Sequence, residues 1–273
     1  MSQQTAVYRG HSKADALCLV RPQALADQIC ASYLSLYTDL PYDNYACGGA
    51  VCSNKLTPSS VPDVSGGQLA WFVQDHVLAN SSSPNKPAQL DISGQSALAI
   101  IWVGTNDLGI HSLLQPDNYT APYAPAIPPL TPGNDNATTI NDLARCQLAQ
   151  VQTLYSQYGI KNFLILSTIP LHLTALYAAN DSGTIYYPET HDGRAWNLNM
   201  YHMENALNGF LDAGVGTLGA QLPDASVSFF NTYKFFEQLY LYPEQYYNGS
   251  IPASVTGHCH QCPNASDWRE CGM

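Results

Sequence analysis

Apolar positions recur along this chain in two rhythms. Leu25, Ile29, Tyr33 and Leu36 fall on one side of a helical wheel, which predicts a helix over residues 22–37. A second helix is predicted over 68–78, after the Gly66-Gly67 break. The clearest helical stretch is 139–158, where Ile140, Leu143, Leu148, Val151, Leu154 and Tyr158 keep the period. Asn141 and Asp142 lie in its first turn and Gly159 can end it. Helices are also expected over 196–211 and around 235–239. Between them lie short apolar runs. Residues 96–103 read as a fully buried strand, 162–170 as a second strand stopped by Pro170, and 225–231 as a third. The stretch 116–136 is rich in Pro, Asn and Thr and reads as a long surface loop.

Strands alternating with helices imply an α/β fold: a parallel sheet between helical layers, α/β/α. In such sheets the functional loops gather at the carboxyl ends of the strands. Asn106 stands at such an end, directly after the buried run that stops at Gly104.

Composition narrows the function. The 273 residues suffice for one large domain. A net charge of −11 repels phosphate backbones, so nucleic acid is not an expected partner. Basic runs are absent and no apolar run reaches membrane-spanning length, so no membrane partner is expected either. Eight cysteines exceed what a cytosolic enzyme usually carries. Asn80, Asn118, Asn136, Asn180, Asn248 and Asn264 each open an Asn-X-Ser/Thr acceptor. Together these favour a secreted, disulfide-bonded glycoprotein, although Asn, Ser and Thr also share loops by composition alone. The first residues contradict export: they hold no uninterrupted apolar segment and no small-residue cleavage site, so no signal peptide is expected in this chain.

An Asn side chain can donate its NH₂ to a developing oxyanion, and a rigid donor of this kind is worth roughly 3 kcal/mol. A glycine N–H is a natural companion, because no Cβ blocks approach. "NYACGGAVCSN", residues 44–54, offers one at Gly48-Gly49. With "IWVGTNDLG" at 101–109, it resembles the second and third sequence blocks of the SGNH hydrolases, the GDSL-type lipases and acylhydrolases. Fungal secreted carbohydrate acetylesterases are the nearest group. "FLILSTIPL" at 163–171, "NTYKFFEQLYLYPEQYY" at 231–247 and "GHCHQCPNASDWREC" at 257–271 resemble later segments of that group.

The resemblance implies a three-layer α/β/α domain with a parallel, flavodoxin-like sheet over residues 32–273, preceded by a non-matching stretch, 1–31. It implies ester hydrolysis, with acylated carbohydrates or small esters as substrate and no metal or organic cofactor. It also implies oxyanion donors at Gly49 and Asn106. Taken singly, Gly49 reads better as a plain turn glycine and Asn106 as a helix cap or turn residue, and it is the order and context of the two blocks that favour the donor reading.

The sequence also departs from the family. There is no Gly-Asp-Ser. Gly10-His11-Ser12 is the nearest match, which leaves Ser12 as a weak nucleophile candidate. No histidine has an Asp three residues before it, so no acid–base histidine is assigned and the domain reads as C-terminally incomplete. The family's first central strand is missing or replaced, with residues 5–8 as the only substitute. The alternative function is therefore a non-catalytic carbohydrate-binding relative. A zinc-stabilised module is a third reading, resting on His258, Cys259, His260, Cys262 and Cys271, whose spacing fits disulfides better. Cys47 and Cys52 flank the glycine turn and could bridge each other, and Cys18 could be unpaired. Tyr119, Tyr123, Tyr186 and Tyr187 could stack on sugar rings, although such residues more often cover a core edge.

Overall fold

The computed structural model describes residues 43–78, 86–93, 96–110, 112–114, 138–179, 190–247 and 255. Helix 22–37, strand 5–8, loop 116–136, Ser12, Cys18, the six acceptor asparagines, the four loop tyrosines and the His/Cys segment near 260 lie outside them.

Three strands form the sheet: β1 (Leu98–Ile101), β2 (Asn162–Leu166) and β3 (Ser226–Phe230). Their order is β1-β2-β3 and both pairings are parallel. The register aligns Ile101 with Ile165, and Ile165 with Phe229. The helices are α1 (Leu69–His76), α2 (Thr105–Leu108), α3 (Ile140–Tyr158), α4 (Gly193–Gln221) and α5 (Thr232–Leu241). The α/β class and the parallel sheet are those expected from the alternating pattern.

Helix α3 starts where the sequence places it. Thr139 caps it by accepting from the Asp142 N–H, and the Asp142 carboxylate accepts from the Thr139 N–H in return. Gly159 ends it in the left-handed conformation, φ +72°. Helix α4 runs ten residues beyond the predicted end, through Gly214, Gly216 and Gly219. Gly209, Gly216 and Gly219 face open space. Gly214 has a packing reason: a Cβ there would lie 2.2 Å from Leu148 Cδ1 of α3. The two helices approach too closely for a side chain.

Gly66 and Gly67 do not break the chain before α1. They lie in a turn of π-helix, Val64–Gln68, that leads straight into it. The Asp63 carboxylate caps that turn by accepting from both glycine N–H groups, at 3.0 and 2.9 Å.

The core joins one face of the sheet to α3 and α4. Ile101, Phe163 and Ile165 cluster with Leu143 and Val151 of α3 and with Met200, Leu207 and Leu211 of α4. The first strand is therefore not fully buried, as its apolar run suggested. Leu98, Ile100 and Trp102 are 57%, 50% and 53% exposed. Side chains alternate across a strand, and both core helices lie against the opposite side. A continuous apolar run cannot say which of its faces is packed.

Candidate functional site

Two loops meet at the carboxyl end of β1. In the first, the Ala50 N–H donates to the Cys47 carbonyl at 3.2 Å, closing a tight turn. Gly49 is the third residue of that turn, at φ +84°, a conformation that L side chains rarely adopt. Gly49 is thus a turn glycine, and its N–H has no acceptor among the described residues. The second loop leaves β1 through Gly104, at φ +132°. A Cβ on Gly104 would stand 2.9 Å from Thr168 Cγ2 and 3.2 Å from Leu207 Cδ2, so both conformation and space require glycine.

Asn106 and Asp107 tie the second loop to the first. The Asn106 amide donates to the Ala50 carbonyl at 2.9 Å, one residue from Gly49. That bond uses one of the two amide hydrogens. The Asp107 carboxylate is fully buried and accepts from the Cys52 N–H at 3.1 and 3.2 Å and from the Thr57 hydroxyl at 3.0 Å. Burial pushes the Asp107 carboxyl up to about 6, against those hydrogen bonds. The two expected donors, Gly49 and Asn106, therefore come together, joined through Ala50.

Cys52 bridges Cys146 of α3, not Cys47. Cys47 and Cys52 straddle the turn in sequence, but Cys52 is fully buried and turned toward α3. The bridge spans 94 residues and pins the glycine loop to the helix behind the sheet. Gln147, the next residue on α3, is buried with neither amide atom hydrogen-bonded, and its Nε2 would lie 3.4 Å from a Cβ on Gly104.

A second polar cluster occupies the carboxyl end of β2. The Glu204 carboxylate of α4 is fully buried. It accepts from the Leu171 N–H at 2.8 Å and bonds His172 Nδ1. The Tyr201 ring meets the imidazole edge-on, with centroids 5.1 Å apart, and the Tyr233 ring stacks on it at 6.1 Å. Burial pushes Glu204 up to about 8, opposed by the N–H groups of Leu171 and His172. Burial also holds the His172 ring below its ordinary value, while Glu237 pulls the other way.

The loop carrying His172 abuts the loop carrying Asn106. Ile110 N–H donates to the Tyr177 hydroxyl oxygen at 3.4 Å, and the Asn197 amide holds the carbonyls of His172 and Tyr177 at 2.7 and 2.9 Å. One turn along α4 from Glu204, Asn208 accepts from the Thr168 N–H and hydroxyl. Sequence reasoning did not single out His172 or Glu204. They stand 32 residues apart, and only their shared place in the fold joins them. The sole hint is a Glu in the middle of the apolar stripe of α4.

Among the described residues no group of His, Cys, Asp and Glu is arranged to hold a metal ion, and no helix is long and apolar enough to cross a membrane. The comparisons with known proteins agree with the geometry. A family model described as GDSL-like lipase/acylhydrolase matches residues 21–261. An acetylesterase from Thermothelomyces thermophilus is 26% identical over 194 residues, covering 70% of this chain. The chain spans about half, 54%, of that relative's length.

Proposed function

Because the chain belongs to the GDSL-like lipase/acylhydrolase family, we propose that it hydrolyses carboxylic esters, with acetylated carbohydrates as its substrate class. One observation carries this reading: the Asn106 amide donates to the carbonyl of Ala50, the residue that follows Gly49 in the turn. An acyl carbonyl oxygen placed there receives the second Asn106 N–H and the Gly49 N–H as negative charge develops on it. Donors already held in place need no reorganisation at the moment of reaction, which is where such sites gain their rate. The acetyl preference draws on the relative's name, acetylesterase. The eight cysteines and six glycosylation acceptors support an extracellular setting for the intact protein.

A serine nucleophile is part of the reading, with Ser12 as the sequence's candidate. Its test is labelling by a fluorophosphonate probe that disappears in Ser12→Ala. The oxyanion assignment is tested by rates of acetate release from 4-nitrophenyl acetate and from acetylated xylo-oligosaccharides. Asn106→Ala is expected to lower kcat by about 100- to 1,000-fold with little change in KM. An Asn106→Ala protein as fast as the parent would remove the assignment. Oligosaccharide binding without any acetate release would favour the non-catalytic reading instead.

A further inference from the structure

We propose that Asp107 is a positioning residue for ester hydrolysis: its carboxylate clamps the glycine turn in register with the Asn106 amide. The inference deepens the ester-hydrolase reading and rests on it.

Three observations lead there. The first is a two-point contact between the loops. Asn106 and Asp107 are consecutive, and each grips the stretch that follows Gly49. Asn106 donates to the Ala50 carbonyl at 2.9 Å, and Asp107 accepts from the Cys52 N–H at 3.1 and 3.2 Å. One hydrogen bond between two loops acts as a pivot about which either can rock. A second, two residues along, fixes the rotation as well, and donors aimed at one atom need that precision.

The second is that both ends of the clamp are themselves held. The Thr57 hydroxyl donates to Asp107 Oδ1 at 3.0 Å. The Ser112 hydroxyl donates to the Asp107 carbonyl at 2.6 Å, and the Leu108 N–H donates to the Gly104 carbonyl at 3.0 Å. On the other loop, Cys52 is fixed from behind by its bridge to Cys146 of α3. The clamp therefore joins two anchored pieces, with Asn106 one residue from its acidic end and Gly49 three residues from its Cys52 end.

The third is the choice of side chain. Asp107 is fully buried, and no Lys, Arg or His forms an ion pair with it among the described residues. Burial pushes the carboxyl up to about 6, so it stays ionised at neutral pH only at a cost. A well-packed apolar side chain would avoid that cost. What it could not supply is acceptors for the Cys52 N–H and the Thr57 hydroxyl together.

Asp107 touches no substrate under this assignment and moves no proton. It acts through the spacing of the two donors, which matters most as charge develops on the acyl oxygen. Loss of the clamp is therefore read in kcat more than in KM.

The test uses the full chain and 4-nitrophenyl acetate at about pH 8, above the titration of Asp107. Asp107→Ala is expected to lower kcat by about 10- to 100-fold with KM within about threefold. Asp107→Asn, whose amide oxygen still accepts from the Cys52 N–H, is expected to stay within about fivefold of the parent. In an Asn106→Ala background, Asp107→Ala is expected to cost under about threefold, because the donor that it positions is gone.

A folded Asp107→Ala with the parent's kcat overturns the inference, as does an equal loss in the parent and Asn106→Ala backgrounds. An Asp107→Asn protein as slow as Asp107→Ala also overturns it, since charge and not the accepted hydrogen bond would then matter. Each of these leaves the ester-hydrolase reading standing, whereas a parent with no hydrolysis overturns both. Should Asp107→Ala fail to fold, Thr57→Val removes one of the two groups that hold the carboxylate. A loss of about three- to tenfold in kcat at unchanged KM supports the clamp, and an unchanged kcat overturns it.

Discussion

Single residues at the end of β1 carry more constraint than their size suggests. Gly104 turns the chain at a φ that L side chains rarely adopt, while Thr168, Leu207 and Gln147 crowd the point where a Cβ would emerge. Gly104→Ala is therefore expected to cost about 3 kcal/mol by urea denaturation, the sum of backbone strain and a forced shift of neighbours. A loss below about 1 kcal/mol would show that the loop relaxes freely. The turn at Gly49 and the place of Asn106 just after β1 were legible from sequence, because a glycine turn and an Asn after a strand are local patterns. The Ala50 carbonyl that orients Asn106 was not, since 56 residues separate the pair. The same holds for Glu204 and His172. Neither residue breaks a local rule by itself, and their meaning lies in a contact between a helix and a loop that no periodicity encodes.

At the scale of elements, α4 shows where sequence reasoning stops. Its capped start was near the expected place, but its end lies ten residues beyond 211, although glycine disfavours helix by about 1 kcal/mol and Gly214, Gly216 and Gly219 follow Gly209 there. Packing against α3 overrides that preference. The four glycines are not equivalent, and substitution should separate them. Gly209→Ala, Gly216→Ala and Gly219→Ala face open space and are each expected to stabilise by about 0.5–1 kcal/mol. Gly214→Ala drives a Cβ into Leu148 and is expected to destabilise. Equal shifts in the denaturation midpoint at all four positions would mean that α3 and α4 do not pack as described. The strand run at 96–103 taught a similar lesson. Its apolar content located β1 but said nothing about which face the helices would take.

Across the whole molecule, two buried carboxyls outweigh the lowered His172 ring in the response to pH above 4.5. Glu204 titrates near 8 against an ordinary 4.5, and Asp107 near 6 against 3.8. Both values are raised in the folded state, so the folded chain binds protons that the unfolded chain releases. Their contribution to stability is complete below about pH 4 and is lost as pH climbs through 6 and then 8. Melting temperature is expected to fall between pH 4.5 and 8.5, and to fall less in Glu204→Gln. A rise over that window would refute the burial of these groups. The fold class was readable from the alternation of periods because that alternation is itself a whole-chain property. The joining of loop to helix was not, because long-range covalent links leave no trace in spacing.

The Cys52–Cys146 bridge carries a consequence of its own. No thiol takes part in the chemistry proposed above, yet the turn that presents Gly49 is moored to α3 by that crosslink and to α2 by the grip of Asp107 on Cys52. Cutting it would loosen the cradle while leaving the strand ladders intact. The surrounding electron supply thus becomes a condition for turnover, and a mild reductant would behave as an inhibitor that never visits the substrate cleft.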